Sequence, residues 1–165
     1  MTINVLYTIN GNYKKFMLAS CISMLINNPD KEFNIHIIVS DFTKFDYDFC
    51  ENILKDYKNV TWKFYQSRSF DIEKYGIPNW RGSQIANVRL FFQEYLDLSG
   101  VDKLLYLDAD TIIVNDLANL MTYDGVINAS LDINLRRRLK NTGLSQCFNS
   151  GVLLIDTQKW IDEEI

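Results

Sequence analysis

The chain has little with which to build a disulfide framework or a thiolate metal site. Its three cysteines, Cys21, Cys50 and Cys147, are an odd number with no metal-ligand spacing, which predicts a reducing compartment. An excess of positive charge is also missing. A formal net charge of −4 gives no footprint for nucleic acid, whose phosphates are met by clustered Lys and Arg, so no nucleic-acid partner is expected. No apolar run approaches the roughly 20 residues of a membrane span, and Met1-Thr2-Ile3-Asn4 opens a strand-like segment with no basic stretch before it. The expectation is a cytoplasmic protein. Histidine is nearly absent: His36 is the only one, and within Ile35-His36-Ile37-Ile38-Val39 it reads as a strand residue with satisfied hydrogen bonds rather than a ligand.

What is there suffices for a core. With 165 residues, 47% hydrophobic and 23% charged, one globular domain is the default. Residues 3–7, 34–40, 60–65, 126–131 and 151–156 read as strands, as does Leu104-Leu105-Tyr106-Leu107. Helical spacing marks residues 13–27, 46–57 and 84–96, a short helix is expected at 117–122, and another starts at Thr157. Residues 66–81, with Gly76 and Pro78, read as a surface loop. Strands alternating with helices predict an α/β fold with a mainly parallel sheet. Tyr13, Phe16, Phe91, Phe92 and Tyr95 read as core aromatics on helical spacing.

Asp108-Ala109-Asp110 sits between that fourth apolar strand and Thr111-Ile112-Ile113-Val114, which places two carboxylates at the carboxyl edge of a buried strand. If the chain stays extended there, side chains two residues apart share a side and both acids can approach one ion. Oxygen donors of this kind suit magnesium or manganese, and such an ion can bridge a diphosphate as a phosphorylated group departs. Ligands of α/β sheets gather beyond the carboxyl ends of strands, and Asn10, Asp41, Asp108 and Asp110 all follow predicted strands. The plainer account of a D-x-D triplet is a solvated turn. A second segment, Cys147-Phe148-Asn149-Ser150-Gly151-Val152-Leu153-Leu154-Ile155-Asp156, feeds a polar corner into an apolar strand. Small residues there let a ligand approach the backbone, although Asn, Ser and Gly also make ordinary turns.

Leu107-Asp108-Ala109-Asp110, followed about forty residues later by Phe148-Asn149-Ser150-Gly151-Val152-Leu153-Leu154-Ile155 and then Lys159-Trp160, resembles glycosyltransferase family 8. Val5-Leu6-Tyr7-Thr8, Asn10-Gly11-Asn12-Tyr13 and Asn87-Val88-Arg89-Leu90 match in order and spacing, so the resemblance covers nearly the whole chain. The family includes bacterial lipopolysaccharide galactosyl- and glucosyltransferases and is related to glycogenin. The resemblance implies a GT-A fold, a Rossmann-like three-layer α/β/α sandwich with a mainly parallel sheet. It also implies a donor such as UDP-glucose or UDP-galactose, a saccharide or lipid-linked saccharide acceptor, manganese or magnesium, and retention of anomeric configuration. On the matching positions, Asp108 and Asp110 bind the metal, with Asp108 also near the ribose and Ala109 among the donor-binding residues. Thr8, Asn10 and Asn12 line the uridine pocket, Asn10 standing where the family commonly has an acid. Arg89 reaches the donor sugar or diphosphate, Asn149 and Ser150 face the transferred sugar, and Asp132 stands on the sugar or acceptor side. Arg89 and Asn149 are the catalytic candidates.

The family continues past Trp160 to a motif of the type His-x-x-Gly-x-x-Lys-Pro-Trp, which supplies a third metal ligand and a lysine for the diphosphate. Residues 1–165 are therefore expected to be the N-terminal, nucleotide-sugar-binding portion of such a domain. Two alternatives stand beside a working transferase. One is an inactive UDP-sugar-binding remnant. The other rests on Leu107-Asp108-Ala109-Asp110-Thr111, which also resembles the first motif of haloacid-dehalogenase-type phosphatases. That motif normally opens its domain, whereas about a hundred residues precede it here and no later Asp-Asp pair follows. The run Arg136-Arg137-Arg138-Leu139-Lys140 is a point of peripheral contact with an anionic membrane face or an acceptor phosphate, or more simply a solvated loop.

Overall fold

The first strand, β1 (Thr2–Asn10), is buried on both faces, which suits an interior position in a parallel sheet covered on both sides. It holds that position. The computed structural model describes residues 1–68, 72, 75–79, 83–132 and 147–163. Among them, β1, β2 (Glu32–Ser40), β3 (Val60–Gln66), β4 (Lys103–Leu107), β5 (Ile127–Leu131) and β6 (Phe148–Asp156) form one sheet in the order β3-β2-β1-β4-β6-β5. The pairings of β1 with β2 and β4, and of β2 with β3, are parallel. β6 runs antiparallel to both β4 and β5, so the sheet is mixed, with three of its five pairings parallel, in line with the mainly parallel sheet expected.

Alternation along the strands divides the interior into two cores. Ile3, Val5, Tyr7 and Ile9 of β1 and Leu105 and Leu107 of β4 pack with helices α1 (Lys14–Asn27) and α2 (Lys44–Leu54). Leu6, Leu104, Tyr106, Leu153 and Ile155 face the other way, against a 3₁₀ helix at Ile85–Glu94 and Trp160 of α3 (Thr157–Asp162). The expected three-layer α/β/α arrangement is thus present.

Several local expectations are corrected. Tyr13 and Phe16 are not core residues: they are 45% and 55% exposed and lie against each other, ring centroids 5.7 Å apart. The buried stripe of α1 is set by Met17, Leu18, Cys21, Met24 and Leu25, which leaves Phe16 off it. Phe92 is buried, whereas Phe91 and Tyr95 are half-buried. The segment expected as an α-helix at 84–96 winds as a 3₁₀ helix broken at Phe91 (φ −121°, ψ 24°). A three-residue period stacks Ile85, Val88 and Phe91 on one side, and the break turns Phe92 into the core instead. Ile72, within the expected surface loop, is fully buried in the second core. His36 is only half satisfied: Nδ1 meets the Tyr65 hydroxyl at 3.0 Å, but buried Nε2 has no partner among the described residues. Burial, and then Lys63, pushes this imidazole below its usual pKa, which keeps it uncharged. The basic run at 136–140 lies outside the described residues. No described helix is long and apolar enough to cross a membrane.

Helix α2 starts two residues earlier than its apolar spacing suggests, because Thr43 and Asp46 form a capping box. Asp46 also meets Lys14 Nζ of α1 at 2.7 Å. The Lys14 ammonium, and then the Thr43 backbone and hydroxyl, pull the carboxyl down to about 2. A carboxyl depressed in the folded state stabilises above its unfolded pKa, and that stabilisation fades as pH falls through the folded value. Asp46→Asn is therefore expected to lower the urea midpoint at neutral pH. The gap to the parent should close between about pH 4 and about pH 2, and a gap independent of pH would contradict this linkage.

Candidate active site

Strand order reverses between β1 and β4, since β1 carries β2 on its other edge. A crevice opens at the carboxyl ends of strands at such a point. The end of β1 delivers Thr8 and Asn10, and the end of β4 delivers Asp108. Because β6 is antiparallel to β4, its beginning rather than its end arrives there. Leu107 pairs with Val152, and one step further the Asp108 N–H donates to the Gly151 carbonyl at 2.7 Å. Asn149, Ser150 and Gly151 thereby lie beside Asp108, although they are about forty residues away in sequence.

Asp108 is held from three directions. Its Oδ1 accepts from the Tyr106 hydroxyl at 2.6 Å and from Arg89 Nη1 at 3.1 Å. Arg89 in turn donates to the Ser150 carbonyl at 2.7 Å and lies over the Tyr106 ring, 4.3 Å from its centroid. The third side is Gly151, where a Cβ would fall 2.8 Å from Asp108 Oδ2 and 3.0 Å from Asn149 Oδ1. Its backbone is ordinary extended strand, so what glycine supplies is space.

The chain does not remain extended through the acidic triplet. It turns at Ala109-Asp110, and both the N–H and the hydroxyl of Thr111 donate to the Asp108 carbonyl, at 3.1 and 2.8 Å. With the Thr111 hydroxyl so engaged, Ser20 donates to it (2.9 Å), and buried Tyr7 donates to Ser20 (2.9 Å). The apolar residues that follow are not a strand but a segment pinned to one face of α1. Ser23 Oγ accepts from the Ile113 N–H, Asn27 donates to the Ile113 carbonyl, and fully buried Asn28 accepts from the Leu117 N–H. Side chains of α1 and of Asn28 just past its end thus satisfy backbone groups that a neighbouring strand would otherwise take.

Two cavities flank the Arg89–Asp108 pair, which lines both. The smaller, about 340 Å³, is lined by Thr8, Asn10, Tyr13, Arg89, Asp108, Ala109 and Asp110, among others. The larger, about 590 Å³, is bordered by Arg89, Asp108, Asp132, Asn149, Ser150 and Gly151 and has an apolar floor of Leu153, Ile155 and Trp160. Of the site residues expected from sequence, Asn12 lines neither. It is exposed, and its N–H donates to Asn10 Oδ1 at 3.0 Å, so it is the Asn10 side chain that caps the turn after β1. Asp41 lines neither cavity either. It sits in the left-handed region (φ 58°), its carbonyl near Gly11.

Sequence reasoning missed Tyr106, Ser83 and Ala86 at the cavities and the space at Gly151. For Tyr106 a signal existed, because it stands two residues before Asp108 on a strand and must share its side. Both acids line the smaller cavity, and their oxygen donors are of the kind that suits a hard divalent cation. Asp108 Oδ2 and the exposed Asp110 carboxylate take no hydrogen bond among the described residues. No group of three His, Cys, Asp or Glu gathers among those residues, so two carboxylates are what this part of the chain offers.

The fold agrees with comparisons to known proteins. Lipopolysaccharide 1,2-glucosyltransferase of Escherichia coli K12 is 27% identical over 175 residues, covering 99% of this chain and 50% of the relative, so the chain spans half that relative's length. The galactosyltransferase LgtC, solved in complex with donor and acceptor sugar analogs, superposes with a TM-score of 0.81 at 24% identity, over 96% of this chain and 59% of LgtC. A mannosyltransferase from Pyrobaculum calidifontis, solved with GDP-Man and Mn2+, gives a TM-score of 0.53 at 11% identity, over 98% of this chain and 46% of that one. The description of glycosyl transferase family 8 matches residues 4–165, nearly the full length, and the chain belongs to that family.

Proposed function

We propose that this chain binds a UDP-hexose, UDP-glucose or UDP-galactose, and takes part in transferring the hexose, with retention, to a saccharide or lipopolysaccharide-type acceptor. The observation that carries this reading is the placement of Arg89 and Asp108 as a shared wall between two cavities at the sheet's switch point. A nucleotide fits the smaller cavity, beside Thr8, Asn10 and Ala109, and the sugar and acceptor fit the larger, beside Asn149, Ser150 and Asp132. Both volumes lie in or near the range of roughly 300–1,000 Å³ usual for small-molecule sites.

Asp108 and Asp110 are the residues that would hold magnesium or manganese. Such an ion supplies charge neutralisation to a departing diphosphate. Arg89, 13% exposed at its side chain, brings a fixed positive charge to the boundary where the sugar–phosphate bond breaks, and charge preorganised in this way costs no reorganisation as the reaction proceeds. Asn149 and Ser150 offer amide and hydroxyl groups to the sugar. Retention follows from a covalent intermediate or from attack on the face that the diphosphate leaves. The glucosyltransferase, galactosyltransferase and mannosyltransferase activities in the names of the similar proteins, and the Mn2+ of the last, support the reaction class and the metal.

Calorimetric titration of the chain with UDP-glucose, UDP-galactose and GDP-mannose, with manganese and with EDTA, tests the reading. Manganese-dependent binding of a UDP-sugar is expected. Binding of GDP-mannose in preference to both UDP-sugars would overturn the donor assignment, and turnover of p-nitrophenyl phosphate dependent on Asp108 would favour the phosphatase alternative. Binding without donor hydrolysis or transfer would mark the chain as a sugar-nucleotide-binding remnant.

A further inference from the structure

Tyr106 is 1% exposed and touches every charged group at the boundary between the cavities except Asp110. It reaches them because β4 alternates: Leu104, Tyr106 and then Asp108 share one side of the sheet. The Tyr106 phenol carries one O–H to donate. Its O–H is directed to Asp108 Oδ1 at 2.6 Å, and its oxygen accepts from Thr8 at 3.4 Å. Its ring lies under the Arg89 guanidinium. A phenylalanine would pack the same space and seat the same arginine, but it could not engage Asp108.

We propose that Tyr106 is the positioning residue of this site: its hydroxyl fixes the Asp108 carboxylate so that Oδ2 is left for a divalent cation, and its ring seats Arg89 for the donor's phosphates. The inference rests on the metal and nucleotide assignments above and adds a division of labour within one side chain. Mutating a group that hydrogen-bonds and orients a metal-binding carboxylate typically costs about 10–100-fold in metal affinity. A ring under a guanidinium contributes through its π face, which needs no hydroxyl.

The test separates the two functions. Mn2+ binding is followed by electron paramagnetic resonance and UDP binding in EDTA by calorimetry, on the parent chain, Tyr106→Phe, Tyr106→Leu and Asp110→Ala, with thermal melts to check folding. Tyr106→Phe should bind Mn2+ about tenfold more weakly and UDP in EDTA within about twofold of the parent, since the ring contact is kept. Tyr106→Leu should weaken both, and the return of metal-free UDP binding in the Phe variant is the rescue that a general loosening would not give. Unchanged Mn2+ affinity in Tyr106→Phe, or a parallel loss of both ligands, overturns the proposal. The control keeps the failures distinct. If Asp110→Ala abolishes Mn2+ binding while Tyr106→Phe binds as the parent does, only the role of Tyr106 falls; if Asp110→Ala changes nothing, the metal assignment falls with it.

Discussion

Titrated with UDP in the presence of manganese, Asp110→Ala is expected to bind at least about tenfold more weakly than the parent, down to the level the parent shows in EDTA. The size follows from charge. Two unit charges about 4 Å apart near a protein surface interact by about 4 kcal/mol, and a divalent ion doubles that before desolvation and screening reduce it. Even a third of the bare value exceeds the roughly 1.4 kcal/mol that a tenfold change requires. Stability should hardly move, because Asp110 is exposed and the turn that carries it is closed by Thr111 on the Asp108 carbonyl, not by the Asp110 side chain. Asp162→Ala, an exposed acid at the end of α3, controls for net charge. An Asp110→Ala protein with unchanged manganese-dependent affinity would show that the acidic turn is the solvated one that its sequence also permits.

How much of this was legible in the chain depends on how far apart the partners lie. β1 and β4 could be read because each carries its own signal, a run of apolar residues ending in a polar one. The position of Asp108 at a strand's edge followed from that. The assignment of Arg89, Asn149 and Ser150 came from resemblance, since their contacts with Asp108 and one another span 19 to 61 residues and leave no local pattern. The extended path on which Asp108 and Asp110 would share a side is absent for a related reason. Thr111-Ile112-Ile113-Val114 has strand composition, but Ser23 and Asn27 of α1, about 90 residues earlier, take up the backbone of Ile113, while Ser20 meets the Thr111 hydroxyl and Asn28, just past the helix, accepts the Leu117 N–H. Ser20, Ser23 and Asn27 recur on one face of that helix, and nothing local in the sequence shows what they bind. The core aromatics were misjudged where spacing could not tell the two sides of α1 apart. Tyr106 was overlooked because a tyrosine inside an apolar run looks like packing, and its function lies in one oxygen atom.

Gly151→Ala offers the sharpest contrast between what local propensity expects and what the site dictates. Glycine within a strand costs roughly 0.5–1 kcal/mol against alanine, and Gly151 has an unstrained extended backbone, so propensity alone predicts a more stable protein. The Cβ, however, would stand 2.8 Å from Asp108 Oδ2 and 3.0 Å from Asn149 Oδ1. A side-chain end can usually give way cheaply, but this one is tied by Tyr106 and Arg89, and Asn149 Oδ1 already accepts the Gly151 N–H at 2.8 Å. Overpacking of this kind costs about 1–3 kcal/mol, enough to cancel or exceed the propensity gain. The expected result is a protein less stable than its parent by about 1 kcal/mol, in which manganese-dependent UDP binding falls by more than about tenfold as the Asp108 carboxylate is pushed off its partners. Gly151→Val should be worse on both counts. Urea denaturation and the same titration measure the two effects, and a Gly151→Ala protein more stable than the parent with unaltered binding would mean that Asp108 does not rest against this glycine.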